Sequence, residues 1–360
     1  MSVAVSKTAS LKSVRLGLLG IGDDCRLVLQ DPKRVRLANI VAAADVTGAA
    51  IADFRAANIW RDPIYHPRPD RLCSVKQIDA LRIDVPLPVR CEYAKRALQR
   101  GKSVLATAPL ASTLDDATIL HEIAQRKQLV LATDFALGRR AEFRRLCSCL
   151  RHGLIGRLLE IDIELGSGRF MDPREFDTAW QCRKQAGCGG ASMDLGSRAF
   201  AAALRLAEYV PGGYAEWEFE SAELSCGRLI RPAHAAGDSD ELIDESASGR
   251  FRFGSVGFVW RANWLERREE TSAIIKLRGT GGMLIADFNQ HVIHRFDREN
   301  RWSIPFPPVD RRDLVVRELS GFCRTVLNRD LRRNGEGLAV QAMLEQVRRR
   351  GLRRVSPPPA

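Results

Sequence analysis

Residues Val14 to Ile21 read Val-Arg-Leu-Gly-Leu-Leu-Gly-Ile, a short apolar run typical of a parallel strand buried on both faces. Gly20-Ile21-Gly22 closes it, a helical pattern runs from about Asp24 to Leu29, and a second apolar run, Ala38 to Ala44, stops at Asp45. Asp45 lies 23 residues after Gly22. Strand, glycine turn, helix, strand and acid in this order form a Rossmann unit, and no other feature constrains the fold as strongly. In such a unit the first glycine permits the tight turn, and the second lets the backbone approach a pyrophosphate at the helix N-terminus. The acid accepts hydrogen bonds from ribose hydroxyls. The expected cofactor is therefore NAD, in preference to NADP, held by Gly20, Ile21, Gly22 and Asp45.

The fingerprint is altered in two ways. Cys25 stands at the third glycine position, where a side chain is expected to crowd the helix–strand contact. Asp23 and Asp24 sit where the helix should meet phosphate. Carboxylates suit the positive end of a helix dipole but repel a pyrophosphate. Two readings stay open: a modified dinucleotide site, or an aspartate-capped helix beside an empty cleft.

Further along, Gly101 to Ala111 reads Gly-Lys-Ser-Val-Leu-Ala-Thr-Ala-Pro-Leu-Ala. This resembles a motif of the Gfo/Idh/MocA family, the glucose-fructose oxidoreductase and inositol dehydrogenase group, in which a Gly-Lys-x-Val strand leads into Glu-Lys-Pro-Leu-Ala. Other landmarks follow the same order. Pro86-Leu-Pro-Val-Arg90 resembles Pro-Asn-x-x-His, and Gly153-Leu-Ile-Gly156 resembles the turn that opens the family's second domain. Gly187-Cys-Gly-Gly-Ala-Ser-Met-Asp-Leu-Gly-Ser-Arg198 resembles Gly-Gly-Gly-x-x-x-Asp-x-Gly-x-His, and Gly279-Thr-Gly-Gly-Met-Leu284 resembles a late hairpin. The similarity spans about residues 14 to 351.

The resemblance implies an oxidoreductase that transfers hydride between NAD and a sugar-like or polyol substrate, with Pro86 beside the cofactor. It also implies a substrate cleft at Arg90, Ala108, Pro109 and Arg198. There the family's lysine stands between nicotinamide and substrate, and an Asp and a His one helical turn apart meet the substrate. Here Ala108 replaces the lysine, Arg90 falls on one histidine position and Arg198 on the other. Asp194 is the matching polar residue that remains, and the candidate catalytic base. An alanine methyl cannot carry a proton, and a positioned acid or base is worth about 10²–10⁴-fold in rate. Two accounts follow: an oxidoreductase with impaired or lost turnover, in which Arg90 and Arg198 grip an anionic group, or a pseudoenzyme kept for ligand binding, scaffolding or regulation. Asp194 and Arg198 could equally form an i,i+4 ion pair on a helix surface, without chemical consequence.

Composition narrows the rest. No apolar run is long enough to span a membrane, and Met1 to Ser13 lacks the apolar core of a signal peptide. The nine cysteines contain no Cys-x-x-Cys and sit near no histidine cluster, so neither a disulfide framework nor a metal site is expected. Free thiols point to a reducing cytoplasm. The net charge of +12 reflects an arginine-rich chain, with Arg332-Arg333, Arg348 to Arg350 and Arg353-Arg354 near the C-terminus. No nucleic-acid motif accompanies these, which favours a solvated basic surface.

The expected architecture is α/β. A flexible arm spans 1–13, and a Rossmann doubly wound parallel sheet forms a dinucleotide-binding domain at 14–131. An α+β domain with an open, mostly antiparallel sheet spans 132–354, and a disordered tail 355–360. Strands are expected at 157–166, 214–226, 249–264, 271–278 and 283–287, and helices at 139–151, 193–207, 313–328 and 336–351. His234 to Ser248 reads as a loop. By the resemblance, the open sheet makes a homo-oligomer.

Overall fold

A computed structural model describes residues 13–355 except positions 30, 46, 48–51, 53–63, 66–67, 173, 176–178, 183–188, 211–212, 214–215, 227–242 and 267–270. The expected arm up to residue 12, the tail from 356, Cys188 and most of the 234–248 loop lie outside these.

The first apolar runs form parallel strands β1 (Val14–Leu19) and β2 (Ala38–Ala44), joined through helix α1 (Asp23–Leu29). They belong to a six-stranded parallel sheet in the order β3-β2-β1-β4-β5-β6, with β3 at Ile64–Tyr65, β4 at Ala80–Ile83, β5 at Ser103–Ala106 and β6 at Leu131–Thr133. The order reverses between β1 and β4, the switch point at which doubly wound sheets bind ligands beyond their strand ends. A short helix α2 (Pro69–Leu72) precedes β4, and α3 (Leu87–Gln99) and α4 (Leu114–Lys127) follow β4 and β5. Helix α3 carries Pro88 in its first turn, where a missing N–H costs nothing. Thr113 caps α4, its hydroxyl oxygen accepting from the Asp116 amide at 3.1 Å.

Helix α5 (Ala141–Arg151) leads into the second sheet. Its nine strands run in the order β14-β13-β12-β11-β7-β10-β9-β8-β15 and are antiparallel except where β7 meets β10 and β8 meets β15. The strands are β7 (Leu158–Gly166), β8 (Trp217–Cys226), β9 (Asp244–Phe253), β10 (Val256–Asn263), β11 (Ser272–Gly279), β12 (Gly282–Asp287), β13 (Val292–Phe296), β14 (Arg301–Pro305) and β15 (Leu352–Val355). The single strand expected at 249–264 is a hairpin. Gly254 takes φ +55° at its turn, and β9 starts at Asp244, inside the stretch read as a loop. Burial explains the difference: Phe251, Phe253, Phe258 and Trp260 all turn into one core, a pattern that a 16-residue run written continuously hides.

Helix α6 (Ser197–Ala207) lies on that core, with Phe200 edge-on to Trp260 at 5.0 Å and to Phe251 at 5.4 Å. The other sheet face carries Glu160 and Asp162 against Arg250, Arg261 and Arg278. Helices α7 (Arg311–Leu327) and α8 (Glu336–Arg350) return to the first domain, α7 against α1 and α8 against α4 and α6.

A π-helical turn, Ser192–Gly196, precedes α6 and carries Asp194. It is anchored by Asp244 at the start of β9, whose carboxylate accepts from the Ser192 amide at 2.6 Å and the Ser192 hydroxyl at 3.0 Å. Gly190 makes the approach possible: a Cβ there would stand 2.2 Å from Asp244 Oδ1. Burial pushes the Asp244 carboxyl up to about 6, against the Ser192 hydrogen bonds that favour its ionised form. The folded chain thus binds this proton more tightly than the unfolded chain. The associated stability is complete below the unfolded value near 3.8 and is lost as the pH rises through about 6. Asp244→Asn removes the buried charge and keeps an acceptor for the Ser192 amide. It is expected to gain stability on the wild type by up to about 3 kcal/mol between pH 4 and pH 8. Urea unfolding midpoints at the two pH values check this; a gap that does not widen at high pH contradicts it.

Candidate functional site

The site forms where β1, β2, β4, β5 and β6 end. Gly20 turns the chain at φ +94°, and a Cβ on it would lie 2.0 Å from the Asp84 carbonyl oxygen, so only glycine fits. Asp45 is 8% exposed. Its Oδ2 accepts from the Ile21 amide at 2.6 Å, and its Oδ1 from the Thr47 amide and hydroxyl at 2.7 and 2.8 Å. The acid expected at the ribose therefore also shapes the glycine turn, and Oδ2, with one hydrogen bond, keeps a lone pair for a further donor.

A buried arginine that sequence reasoning passed over bears on Cys25 and Asp24, while Asp23 lies exposed at the start of α1. Arg82, on β4, is 1% exposed. Its Nη1 donates to Asp84 Oδ2 and to Cys25 Sγ, both at 2.8 Å, and its Nη2 lies 3.4 Å from Asp24 Oδ2. Arg311 Nε donates to the other Asp24 oxygen at 2.8 Å. Cys25 thus does not disrupt the helix: it packs on a guanidinium, while burial pushes its thiol up to about 11. Nor does Asp24 present a bare charge to the turn, since two arginines offset it. Burial works to lower the Arg82 pKa, but Cys25, Asp84, Asp134 and Asp24 raise it well above normal. A charged residue within Ala80-Leu81-Arg82-Ile83 was the available signal, because buried parallel strands rarely carry one.

Ala108 follows β5, with the Ala108–Pro109 peptide bond cis. Arg90 braces this segment. It is 2% exposed; Nη1 donates to the Thr107 and Pro109 carbonyls at 2.9 and 2.6 Å, and Nη2 to the Val85 carbonyl at 2.9 Å. The expectation that Arg90 faces the cleft as an anion grip is thereby corrected: its donors turn to backbone oxygens that would otherwise be buried without partners. Pro86 caps the N-terminus of α3 beside Val85.

Beyond β6, Asp134 is paired to Arg139 at 2.7 Å, and Arg139 also contacts buried Glu318 of α7. Burial opposes ionisation of Asp134, but Arg139, Arg82 and Arg198 hold its pKa below the usual carboxylate range. Arg198 comes from the second domain, so its influence on Asp134 links the two halves of the site.

On that side, Asp194 is 7% exposed; Oδ1 accepts from Arg198 Nη2 at 2.9 Å and Oδ2 from Trp264 Nε1 at 3.3 Å. The i,i+4 pair read as an alternative is present, and Trp264 is a partner that the sequence did not reveal. The Arg198 side chain remains 40% exposed. π-turns inside helices recur at functional sites, and this one carries the acid. Among the described residues no group of His, Cys, Asp and Glu could hold a metal, and the described cysteines are free thiols.

Residues 14–135 match the family model Gfo/Idh/MocA, described as an oxidoreductase family with an NAD-binding Rossmann fold. The match covers the first sheet and its helices, so that part of the chain resembles this family. Among its relatives, a dTDP-3,4-didehydro-2,6-dideoxy-alpha-D-glucose 3-reductase of Streptomyces antibioticus is 29% identical over 196 residues, 53% of this chain and 56% of the relative. A 1-carboxy-3-chloro-3,4-dihydroxycyclohexa-1,5-diene dehydrogenase of Comamonas testosteroni is 31% identical over 31% of this chain and 28% of its own. The chain spans about half the length of the first of these relatives. Solved structures share the fold over nearly the whole chain. KijD10, a 3-ketoreductase from Actinomadura kijaniata, in complex with TDP-benzene and NADP, superposes with TM-score 0.74 at 19% identity, covering 96% of this chain and 100% of its own. Levoglucosan dehydrogenase, in complex with NADH and levoglucosan, gives 0.76 at 17% identity over 92% and 96%. The parallel sheet followed by a mostly antiparallel one is the architecture read from the sequence.

Proposed function

We propose that this Gfo/Idh/MocA-like protein binds NAD at Gly20, Ile21, Gly22 and Asp45, with Pro86 alongside, and a sugar-like or polyol ligand between Ala108 and the Asp194–Arg198 pair. Its dehydrogenase turnover on such ligands is impaired or lost. The observation that carries this is Ala108: just after the end of β5 the chain offers a methyl group where, by the family resemblance, hydride chemistry on an alcohol needs a proton carrier. The residues suit a dinucleotide, since a Cβ on Gly22 would meet nothing nearer than Asp84 Oδ2 at 3.7 Å, which leaves the backbone open to close approach, and Arg82 and Arg311 offset Asp24. When bound, NAD supplies the hydride acceptor. In this reading Asp194 takes a hydroxyl proton and the exposed Arg198 polarises the substrate oxygen. Each already binds the other, which dulls both. With Arg90 occupied by carbonyls, Arg198 is left to attract an anionic substituent.

The second reading, a pseudoenzyme retained for ligand binding or regulation, draws on the same locked pair. We further propose a homo-oligomer through the open sheet, whose crossed ion pairs could exchange between copies, and a cytoplasmic setting in keeping with the free thiols.

Titration with NAD and NADP, followed by fluorescence, tests the cofactor assignment. NAD should bind more tightly, because Asp45 repels a 2′-phosphate. Asp45→Ser should narrow that preference by roughly tenfold while weakening NAD itself. Equal affinity for both cofactors in the wild type contradicts the assignment. Binding of NAD without turnover of any tested polyol supports impaired chemistry; robust NAD reduction abolished by Asp194→Asn would show that Asp194 alone suffices as base.

A further inference from the structure

A second enclosure lies apart from the cleft: Ala108, Asp194, Arg198 and the glycine turn are not among its described walls. It is a cavity of about 180 Å³ bounded by Ser112 of the first domain, the C-terminal half of α8, the end of β8, the start of β9, Arg353 of β15, and Gly189, Ser192 and Met193. Leu224, Ile243, Met193 and Leu344 supply apolar walls. Gln341, of α8, is 1% exposed, and its Oε1 has no hydrogen-bond partner. A buried amide oxygen without a donor is costly and calls for one from outside the protein.

The charges on the cavity wall balance. Glu345 holds Arg348 through two hydrogen bonds of 2.7 and 2.9 Å, and the field of Arg353 acts on Asp244. A net charge on the ligand would therefore gain little here. The acceptor left unmatched is Gln341 Oε1, while each Asp244 oxygen accepts one hydrogen bond from Ser192 and keeps a lone pair, so the missing partner is a donor. The volume exceeds the roughly 30 Å³ that one water occupies in the liquid.

We propose that this cavity binds a neutral, hydroxyl-bearing small molecule of about monosaccharide size, its hydroxyls donating to Gln341 Oε1 and Asp244 and its carbon face against Leu224, Ile243 and Leu344. The site stands independently of the NAD-linked reading of the cleft.

Saturation-transfer NMR and calorimetry on the full chain, with D-glucose and myo-inositol as neutral probes and inorganic phosphate and butylammonium as charged ones, test it. A neutral probe should bind without NAD. Its affinity should fall roughly tenfold in Gln341→Met, which keeps the volume and removes the acceptor, and further in Ile243→Trp, which fills the cavity. Arg198→Ala should leave that binding unchanged. If either cavity variant fails to fold, hydrogen exchange on the wild type replaces it: a neutral probe should slow exchange in α8 and at the start of β9. Three results overturn the proposal. One is binding by the charged probes alone; the second is binding abolished by Arg198→Ala but untouched by Gln341→Met, which places the ligand in the cleft. The third is no binding or protection with either neutral probe, which means the cavity holds water only.

Discussion

Arg90→Ala is expected to destabilise the fold by about 3–5 kcal/mol, more than any other single cleft substitution considered. The guanidinium of Arg90 serves the carbonyls of Val85, Thr107 and Pro109, and truncation leaves all three facing a void. Each buried acceptor deprived of its donor costs about 1–3 kcal/mol, though the penalties are not additive because water can enter and the loop can relax. Arg90→Lys keeps the charge but loses the fork that reaches both sides of the segment, so it should recover less than half of the loss. Urea denaturation measures both. If Arg90→Ala loses less than about 1 kcal/mol, the carbonyls are adequately solvated without it and the bracing role is wrong.

Ala108→Lys is expected to raise NAD-dependent turnover on a polyol or sugar by about 10²–10⁴-fold, the range over which a positioned acid or base acts. The segment that presents residue 108 is already held by Arg90, so a lysine there would enter a pre-shaped frame. An ammonium group that competes with Arg198 for Asp194 would release Arg198 for substrate. Steady-state kinetics across a panel of neutral and acidic sugars, wild type against variant, decides it. A flat response in kcat, with NAD affinity unchanged, would mean that the substrate walls as well as the proton carrier have been lost. That outcome favours the pseudoenzyme reading.

The alteration of the cofactor loop shows how local and tertiary information divide. Read alone, Asp23-Asp24-Cys25 looks hostile to phosphate and to helix packing. In the fold, Arg82 enters from a strand 57 residues beyond Cys25 and Arg311 from a helix 287 residues beyond Asp24, and together they offset Asp24 and seat the thiol. The pairing of Asp194 with Arg198 was legible because i,i+4 spacing is a local property of a helix. The bond from Trp264 was not, because it depends on where β10 ends relative to the π-turn.

By itself the sequence determined the parallel sheet and its glycine turn and the position of Asp45. These follow from periodicity, from spacing, and from residues that only one backbone geometry accommodates. Only the tertiary structure decided that Arg90 turns inward to carbonyls, that β9 and β10 fold back as a hairpin, and that Arg82, Asp134 and Arg139 join the site. A charge finds its partner by distance in space, and the free energy of burying it depends on what surrounds it, neither of which is written in neighbouring residues.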